Sequence, residues 1–255
     1  MDFVIAIPSY NRAEKLKKQT LSYLSSQEIP PELITIFVAN EEEKQKYFTV
    51  LDPASYKEIV VGKLGLHNQR NIIQEHYPLD TNILQMDDDI KKVKFIEEQP
   101  LKGFVSKMFA ITKQEGARLW SIYPVNNLFF CKNRTIIGKI FCVGCFFGII
   151  NKKDLNTPAV DCVEDKWRTL TCYLKDGKTV RYDGACPDTV YNAKGGLYEH
   201  RLLHRTQEVK DVVNLFQNYC ILKFRRDGMT AEVHWKQIID KILCPTFPYE
   251  FSLAL

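Results

Sequence analysis

No run in this chain is long and apolar enough to suggest a membrane span. The most hydrophobic stretch, residues 140–150, falls well short of the roughly 20 residues a transmembrane helix needs. No export-signal pattern opens the chain, because Met1-Asp2 leads straight into a short strand-like run. The cysteines at 131, 142, 145, 162, 172, 186, 220 and 244 are therefore expected as reduced thiols of a cytoplasmic protein, in the host cytoplasm for a viral source. Cys142 and Cys145 form a CxxC, but no second pair of Cys or His stands at finger spacing. Core thiols are expected there in place of a structural zinc. There is no low-complexity tract, no internal repeat and no linker, so one domain over residues 1–255 is expected. A strong charge imbalance is also missing: 35 Lys and Arg against 31 Asp and Glu give +4, which permits a polyanionic partner without demanding one.

What the chain does have is core. Hydrophobic residues make up 45% of it, enough for a sizeable α/β interior. Residues 3–7 have the unbroken apolar character of a buried parallel strand, stopped at Pro8. Helix is expected over 13–27, strand over 33–39, helix over 41–51, strand over 58–61, helix over 68–76 and strand over 82–86. That alternation argues for a mostly parallel sheet covered on both faces. The second half is less regular: helix over 103–116, strands over 119–123, 127–131 and 141–150, helix over 163–175 ending near Gly177, and strand over 179–182. Residues 184–206, rich in Gly, Tyr, His and Arg, suit an active-site loop, and 210–223 suit a helix.

The strongest chemical signal is Asp87-Asp88-Asp89 at the end of an apolar strand. Three adjacent carboxylates repel one another and are costly to desolvate, a conflict that a bound divalent cation resolves. An all-oxygen set suits Mg2+ or Mn2+, with phosphate oxygens completing the shell. In open α/β sheets ligands bind at such strand ends. Upstream, Ile7-Pro8-Ser9-Tyr10-Asn11-Arg12 joins the first strand to the first helix. Tyr10 is placed to pack on a base and Arg12 to reach a phosphate near a helix N-terminus. Glu164-Asp165 opens a later helix, a position that offers a proton-accepting carboxylate and also simply favours acidic residues.

Together these pieces resemble the GT-A glycosyltransferases of the large inverting, family-2-like group. Ile7-Pro8-Ser9-Tyr10-Asn11-Arg12 resembles that group's opening. Residues 65–71, Gly-Leu-His-Asn-Gln-Arg-Asn, resemble its Gly…Arg-Asn segment; residues 82–90 resemble its metal-binding strand and DXD motif, and Val163-Glu164-Asp165 its later Glu-Asp motif. The resemblance covers residues 5–165 and implies a single Rossmann-like domain with a nucleotide-sugar half, 1–90, and an irregular acceptor half, 91–255. It implies that Pro8, Ser9, Tyr10 and Arg12 line the nucleotide pocket. Asn40 or Glu41 would meet the base, with Asn40 standing where that group frequently has a carboxylate. Arg70 would touch the nucleotide, with Asp88 beside it; Asp87 would approach the ribose or the metal, and Asp89 would bind the metal bridging the diphosphate. Asp165, with Glu164 beside it, would take the acceptor's proton. The implied cofactors are Mn2+ or Mg2+ and a nucleotide-sugar, a UDP-sugar being expected.

The second half is similar to the TET/JBP-associated DNA glycosyltransferases, on the Asp triplet, the Glu164-Asp165 helix with Gly177-Lys178, and the Tyr191-Asn192-Ala193-Lys194-Gly195-Gly196 loop. The acceptor so implied is a 5-hydroxymethylpyrimidine in DNA; glycan, protein and small-molecule acceptors stay open. Arg201, His204, Arg205, Lys223, Arg225 and Arg226, interleaved with Tyr198, Phe224 and Trp235, would form a strip that tracks phosphates and stacks bases, or simply a solvated basic face. His200 and His204 stand four apart, so one helix face can carry both imidazoles. His200 is expected to complete the coordination begun by Asp89, to meet a phosphate, or to face solvent. A GT-A nucleotidyltransferase would show a Gly-rich signature after the first strand, which this chain lacks; a non-catalytic nucleic-acid-binding module would not need the Asp triplet or Asp165.

Overall fold

The computed structural model describes residues 2–189 and 198–237. The 191–196 loop and Cys244 lie outside the described residues. An eight-stranded sheet in the order β3-β2-β1-β4-β8-β6-β9-β7 forms the centre. Its strands are β1 (Val4–Pro8), β2 (Ile34–Val38), β3 (Glu58–Val61), β4 (Asn82–Met86), β6 (Leu119–Ile122), β7 (Thr135–Gly138), β8 (Phe146–Ile150) and β9 (Thr179–Tyr182). β3, β2, β1 and β4 are parallel, β8 opposes both β4 and β6, β9 is parallel to β6, and β7 is antiparallel to β9. Six of the eight strands therefore run one way, and the expected mostly parallel α/β sheet is what forms.

Strand alternation splits the core in two. Ile5, Ile7, Leu84, Phe146 and Trp120 face the layer containing α1 (Ala13–Leu16), α2 (Ser22–Ser26), α3 (Glu41–Val50) and α5 (Leu101–Gln114). Ala6, Phe37, Ile83, Phe147 and Ile149 face α4 (Leu66–His76), α6 (Glu164–Asp176) and α7 (Tyr198–Leu215). Each fully buried Ile, Leu or Phe contributes roughly 1.5–3 kcal/mol, so the doubly covered sheet carries most of the stability. β5 (Lys92–Phe95) and β10 (Ala185–Asp188) form a small antiparallel pair beside it, and β11 (Cys220–Phe224) and β12 (Ala231–Trp235) form a hairpin. No helix among the described residues is long and apolar enough to cross a membrane. Cys142 and Cys145 are buried in the two core layers, as a thiol pair packed for volume.

Four local expectations fail for identifiable reasons. Residues 127–131 are not a strand: Asn127 accepts the Phe129 N–H at 3.0 Å and closes a single 3-10 turn, Leu128–Phe130. The strand expected over 141–150 begins only at Phe146, because Gly144 stands at φ 64° and breaks the extended run. The loop expected over 184–206 contains β10, whose pairing with β5 local pattern cannot foretell, and the start of α7. The helix expected over 210–223 starts at Tyr198 and stops at Leu215. The residues after it pair across a turn where Asp227 accepts the N–H groups of Met229 and Thr230 and Gly228 takes φ 69°.

Candidate active site

The Asp triplet leaves the carboxyl end of β4, next to the carboxyl end of β1. There the strand order reverses, since β2 lies on one side of β1 and β4 on the other. Each carboxylate meets a different environment. Asp88 is buried; it accepts from Ser9 Oγ at 2.6 Å and from Arg12 Nη1 at 3.1 Å. Burial pushes its pKa up to about 6, against the lowering effects of Arg12 and the Ser9 hydroxyl. Asp89 accepts from Lys15 Nζ at 2.9 Å, Arg12 Nη1 at 3.3 Å and Thr189 Oγ1 at 2.8 Å. Asp87 keeps the most open carboxylate, 38% exposed, with Arg70 Nη2 at 3.5 Å. The repulsion expected to require a metal is thus already offset by three basic side chains, Arg12, Lys15 and Arg70.

The first loop is fixed from beneath by residues that the sequence did not single out. Ser9 gives its one proton to Asp88, so the Tyr47 hydroxyl, 2.6 Å away, donates to Ser9 and itself accepts the Arg12 N–H at 3.2 Å. Burial pushes the Tyr47 phenol up to about 12, which keeps it a neutral relay. Asn11 stands at φ 57°, a left-handed conformation Asn tolerates, and donates its N–H to buried Glu43 at 2.6 Å. Between α1 and α2 the helix widens into a π turn, Lys17–Leu21. This turn carries buried Thr20, whose hydroxyl donates to the Asp87 carbonyl at 2.8 Å and accepts the Ile90 N–H at 3.0 Å. The only signal for Thr20 and Tyr47 in sequence is a polar group on an apolar helix face.

Arg70, 4% exposed on α4, joins the two motifs. It donates to Gln85 Oε1 at 2.7 Å, stands 3.5 Å from Asp87 and from Glu164, and lies 5.0 Å from the Phe147 ring centre. Arg168 approaches the same ring at 3.6 Å and pairs with Glu164. Glu164 is buried; desolvation raises its pKa while Arg168 and Arg70 oppose that rise. It stands as counter-ion to both guanidinium groups. Asp165 is half-buried at the first turn of α6, and one of its oxygens accepts the Lys166 N–H at 2.7 Å.

The loop that ends in Glu164-Asp165 is clamped along one face of α4. His67 donates its backbone N–H to Asp161 at 2.7 Å, Asn71 exchanges two hydrogen bonds with the Thr157 backbone, and Gln74 bonds with the Leu155 backbone. Positions 67, 71 and 74 share a face because they are four and three apart. The 65–71 segment thus holds both the DXD end, through Arg70, and the Glu-Asp motif, through its neighbours.

The other expected residues are distributed as follows. Pro8 ends β1 opposite Phe37. Tyr10 is 42% exposed above the site, free to stack. Ser9 and Arg12 are both engaged with the triplet. Asn40 caps α3, accepting the Glu43 N–H at 2.9 Å, and Glu41 is exposed in its first turn. Desolvation raises the Asp87 pKa; Arg70 opposes that rise, and so does the charge of Arg201, half-buried on α7. His200 Nε2 lies 2.8 Å from Glu208 and its ring 4.4 Å from that of exposed His204. Arg225 pairs with Glu232 and Arg226 is exposed, both along an open cleft of about 570 Å³ on the β11–β12 hairpin.

The donor set fits a hard divalent cation through Asp87, whose carboxylate oxygens are the least committed. Asp89 is held by Lys15 and Arg12, and would have to give up one of those contacts to join it.

No protein-family model and no curated protein sequence matches the chain. Solved structures do. Residues 1–349 of S. aureus TarS superpose with TM-score 0.52 at 15% identity, covering 84% of this chain and 66% of that one. Mannosyl-3-phosphoglycerate synthase from Rubrobacter xylanophilus gives 0.53 at 11% identity, over 92% and 85%. Glucosyl-3-phosphoglycerate synthase from Mycobacterium tuberculosis, solved with Mn2+, UDP-glucose and phosphoglyceric acid, gives 0.51 at 10% identity, over 94% and 88%. At such identities the likeness fixes the architecture: the chain has the GT-A fold.

Proposed function

We propose that this chain is an inverting glycosyltransferase that moves a sugar from a UDP-sugar to an acceptor hydroxyl with the help of Mn2+ or Mg2+, and that the acceptor is a 5-hydroxymethylpyrimidine in DNA. The observation that carries the transferase assignment is Arg70. One buried guanidinium ties the DXD carboxylate Asp87 to the helix start that presents Asp165, so an electrophile site and a base site are held in one frame. The GT-A fold supports it, since the structures it resembles include one solved with Mn2+ and UDP-glucose.

In this reaction Tyr10 covers the base and Asn40 or Glu41 meets its edge. Asp87, with Asp89, holds the cation; Arg201, near Asp87, adds positive charge on the acceptor side. A divalent cation held there offsets the charge that develops on the departing diphosphate. Asp165 accepts the acceptor's proton from the opposite side of the anomeric carbon; Glu164, already paired with Arg168, keeps the helix start in place. The DNA acceptor is supported by the exposed basic edge of the β11–β12 hairpin, where Lys223, Arg225, Arg226 and His234 surround Phe224. The test is incubation with a panel of UDP-sugars, Mn2+, and DNA containing 5-hydroxymethylcytosine or 5-hydroxymethyluracil, followed by nucleoside mass spectrometry. Glycosylated nucleoside is the expected product. UDP-sugar hydrolysis without DNA modification would keep the transferase and discard the acceptor; neither product would discard both.

A further inference from the structure

A second group of ligating side chains stands apart from the Asp triplet. The Cys162 thiol, a His200 ring nitrogen and a Glu208 carboxylate oxygen lie within 4.8 Å of one another, the one such trio of His, Cys, Asp or Glu among the described residues. Cys162 is in the loop two residues before Glu164, His200 is in the first turn of α7, and Glu208 is two turns further along it. We propose that these three side chains bind one Zn2+ ion, which fastens the start of α6 to α7.

The chemistry differs in kind from that of the triplet. Sulfur, imidazole nitrogen and one carboxylate oxygen form a borderline-soft set that selects Zn2+ over Mg2+ and Mn2+. Zinc bonds of about 2.0–2.3 Å put tetrahedral ligand atoms somewhat under 4 Å apart, within the spacing found here. The trio already converges on one buried carboxylate. Glu208 is buried at 6% exposure, and its close partners are an imidazole at 2.8 Å and the Cys162 N–H at 2.6 Å. A divalent cation there would balance the carboxylate and bind the sulfur as its thiolate. His200 is 37% exposed and the exposed His204 ring lies 4.4 Å from its ring, so a water or His204 would supply a fourth ligand.

A structural ion here would add a second fastening, to α7, for the segment that leads to Asp165 and is clamped to α4. It would also anchor α7, which brings Arg201 toward Asp87.

The test uses the full chain and needs neither donor nor acceptor, so it stands or falls apart from the transferase assignment. Metal-stripped protein is titrated with Co2+, then with Zn2+. One equivalent of Co2+ with a thiolate charge-transfer band, displaced by Zn2+, is expected; Cys162→Ser abolishes the band and Glu208→Gln weakens retention through gel filtration. No thiolate band in the wild-type protein, or a band unchanged in Cys162→Ser, would overturn the site. Zinc-edge X-ray absorption on the wild-type zinc form covers the case in which Cys162→Ser fails to fold. A first shell with one sulfur is expected there, and a shell of nitrogen and oxygen alone overturns the proposal.

Discussion

At the level of single residues, the two neighbouring acids at the start of α6 stand in different surroundings. Glu164 is buried between Arg168 and Arg70, whereas Asp165 is half-buried with one carboxylate oxygen on the Lys166 N–H. Asp165→Asn keeps the shape and removes the basic oxygen, so kcat should fall by about 10²–10⁴-fold with near-normal donor affinity. Glu164→Gln should instead lower stability, on the order of 3 kcal/mol, because two buried guanidinium groups lose their counter-charge. Urea unfolding and single-turnover kinetics separate the two effects. An Asp165→Asn enzyme with full turnover beside a stable, inactive Glu164→Gln enzyme would reverse the assignment. Tyr47→Phe removes the hydroxyl that joins Ser9 to the Arg12 backbone. A loss of about 1 kcal/mol and a raised donor KM are expected; an unchanged urea midpoint and KM would free the first loop from this relay.

At the scale of elements, close packing around β8 sets the sharpest constraint. A Cβ on Gly148 would meet Trp120 Nε1 at 2.1 Å, Trp120 Cε2 at 2.3 Å and Phe109 Cζ at 2.7 Å. Trp120 is fully buried between Phe104, Phe109 and Phe146, so it has nowhere to move. Gly148→Ala should therefore cost about 3 kcal/mol or more, the upper end of the roughly 1–3 kcal/mol typical of overpacking. Gly177→Ala, at φ 73° in the α6 C-cap with open space around it, carries only the left-handed backbone penalty of about 1–2 kcal/mol. The order of the two urea midpoints is the prediction; a milder Gly148→Ala would mean that β8 and α5 can separate. This packing is invisible to pattern reading, since the residues meet only when β6 and α5 close over β8. For the same reason β10 and β11 escape a local reading: their partners β5 and β12 are set by long-range or hairpin pairing, which local periodicity does not encode.

At the scale of the whole molecule, the net charge of +4 is too small to drive DNA binding by itself, so any affinity must come from clustering. If the β11–β12 hairpin is the DNA face, Arg225→Ala with Arg226→Ala weakens binding across sequences. The log–log salt slope becomes shallower by roughly 0.9 for each phosphate that is no longer neutralised. Arg225 already pairs with Glu232, so Arg226 should account for most of the change. An unchanged affinity and slope in a fluorescence-anisotropy titration would move the footprint elsewhere on the surface.

The sequence by itself determined the fold class and the order of the motifs. The unbroken apolar strand of residues 3–7, the amphipathic helices and the Asp triplet at a strand end are local features, and local physics writes them directly into residue order. The resemblance to a known pattern grouped Arg70, Asp87, Glu164 and Asp165, and the structure brings Arg70 to 3.5 Å from both Asp87 and Glu164. Only the tertiary structure decided how that chemistry is arranged. It set Arg70 beside Asp87, Arg12 between Asp88 and Asp89, and Lys15 on Asp89, and it paired Glu164 with two arginines while leaving Asp165 half-buried. It set Tyr47 and Thr20 beneath the site, and it brought Cys162 to His200 and Glu208. Most of those outcomes depend on which polar and charged groups meet in the interior, several of them 38 to 100 residues apart along the chain. Desolvation in a shared interior decides such meetings, and no single stretch of sequence contains that interior.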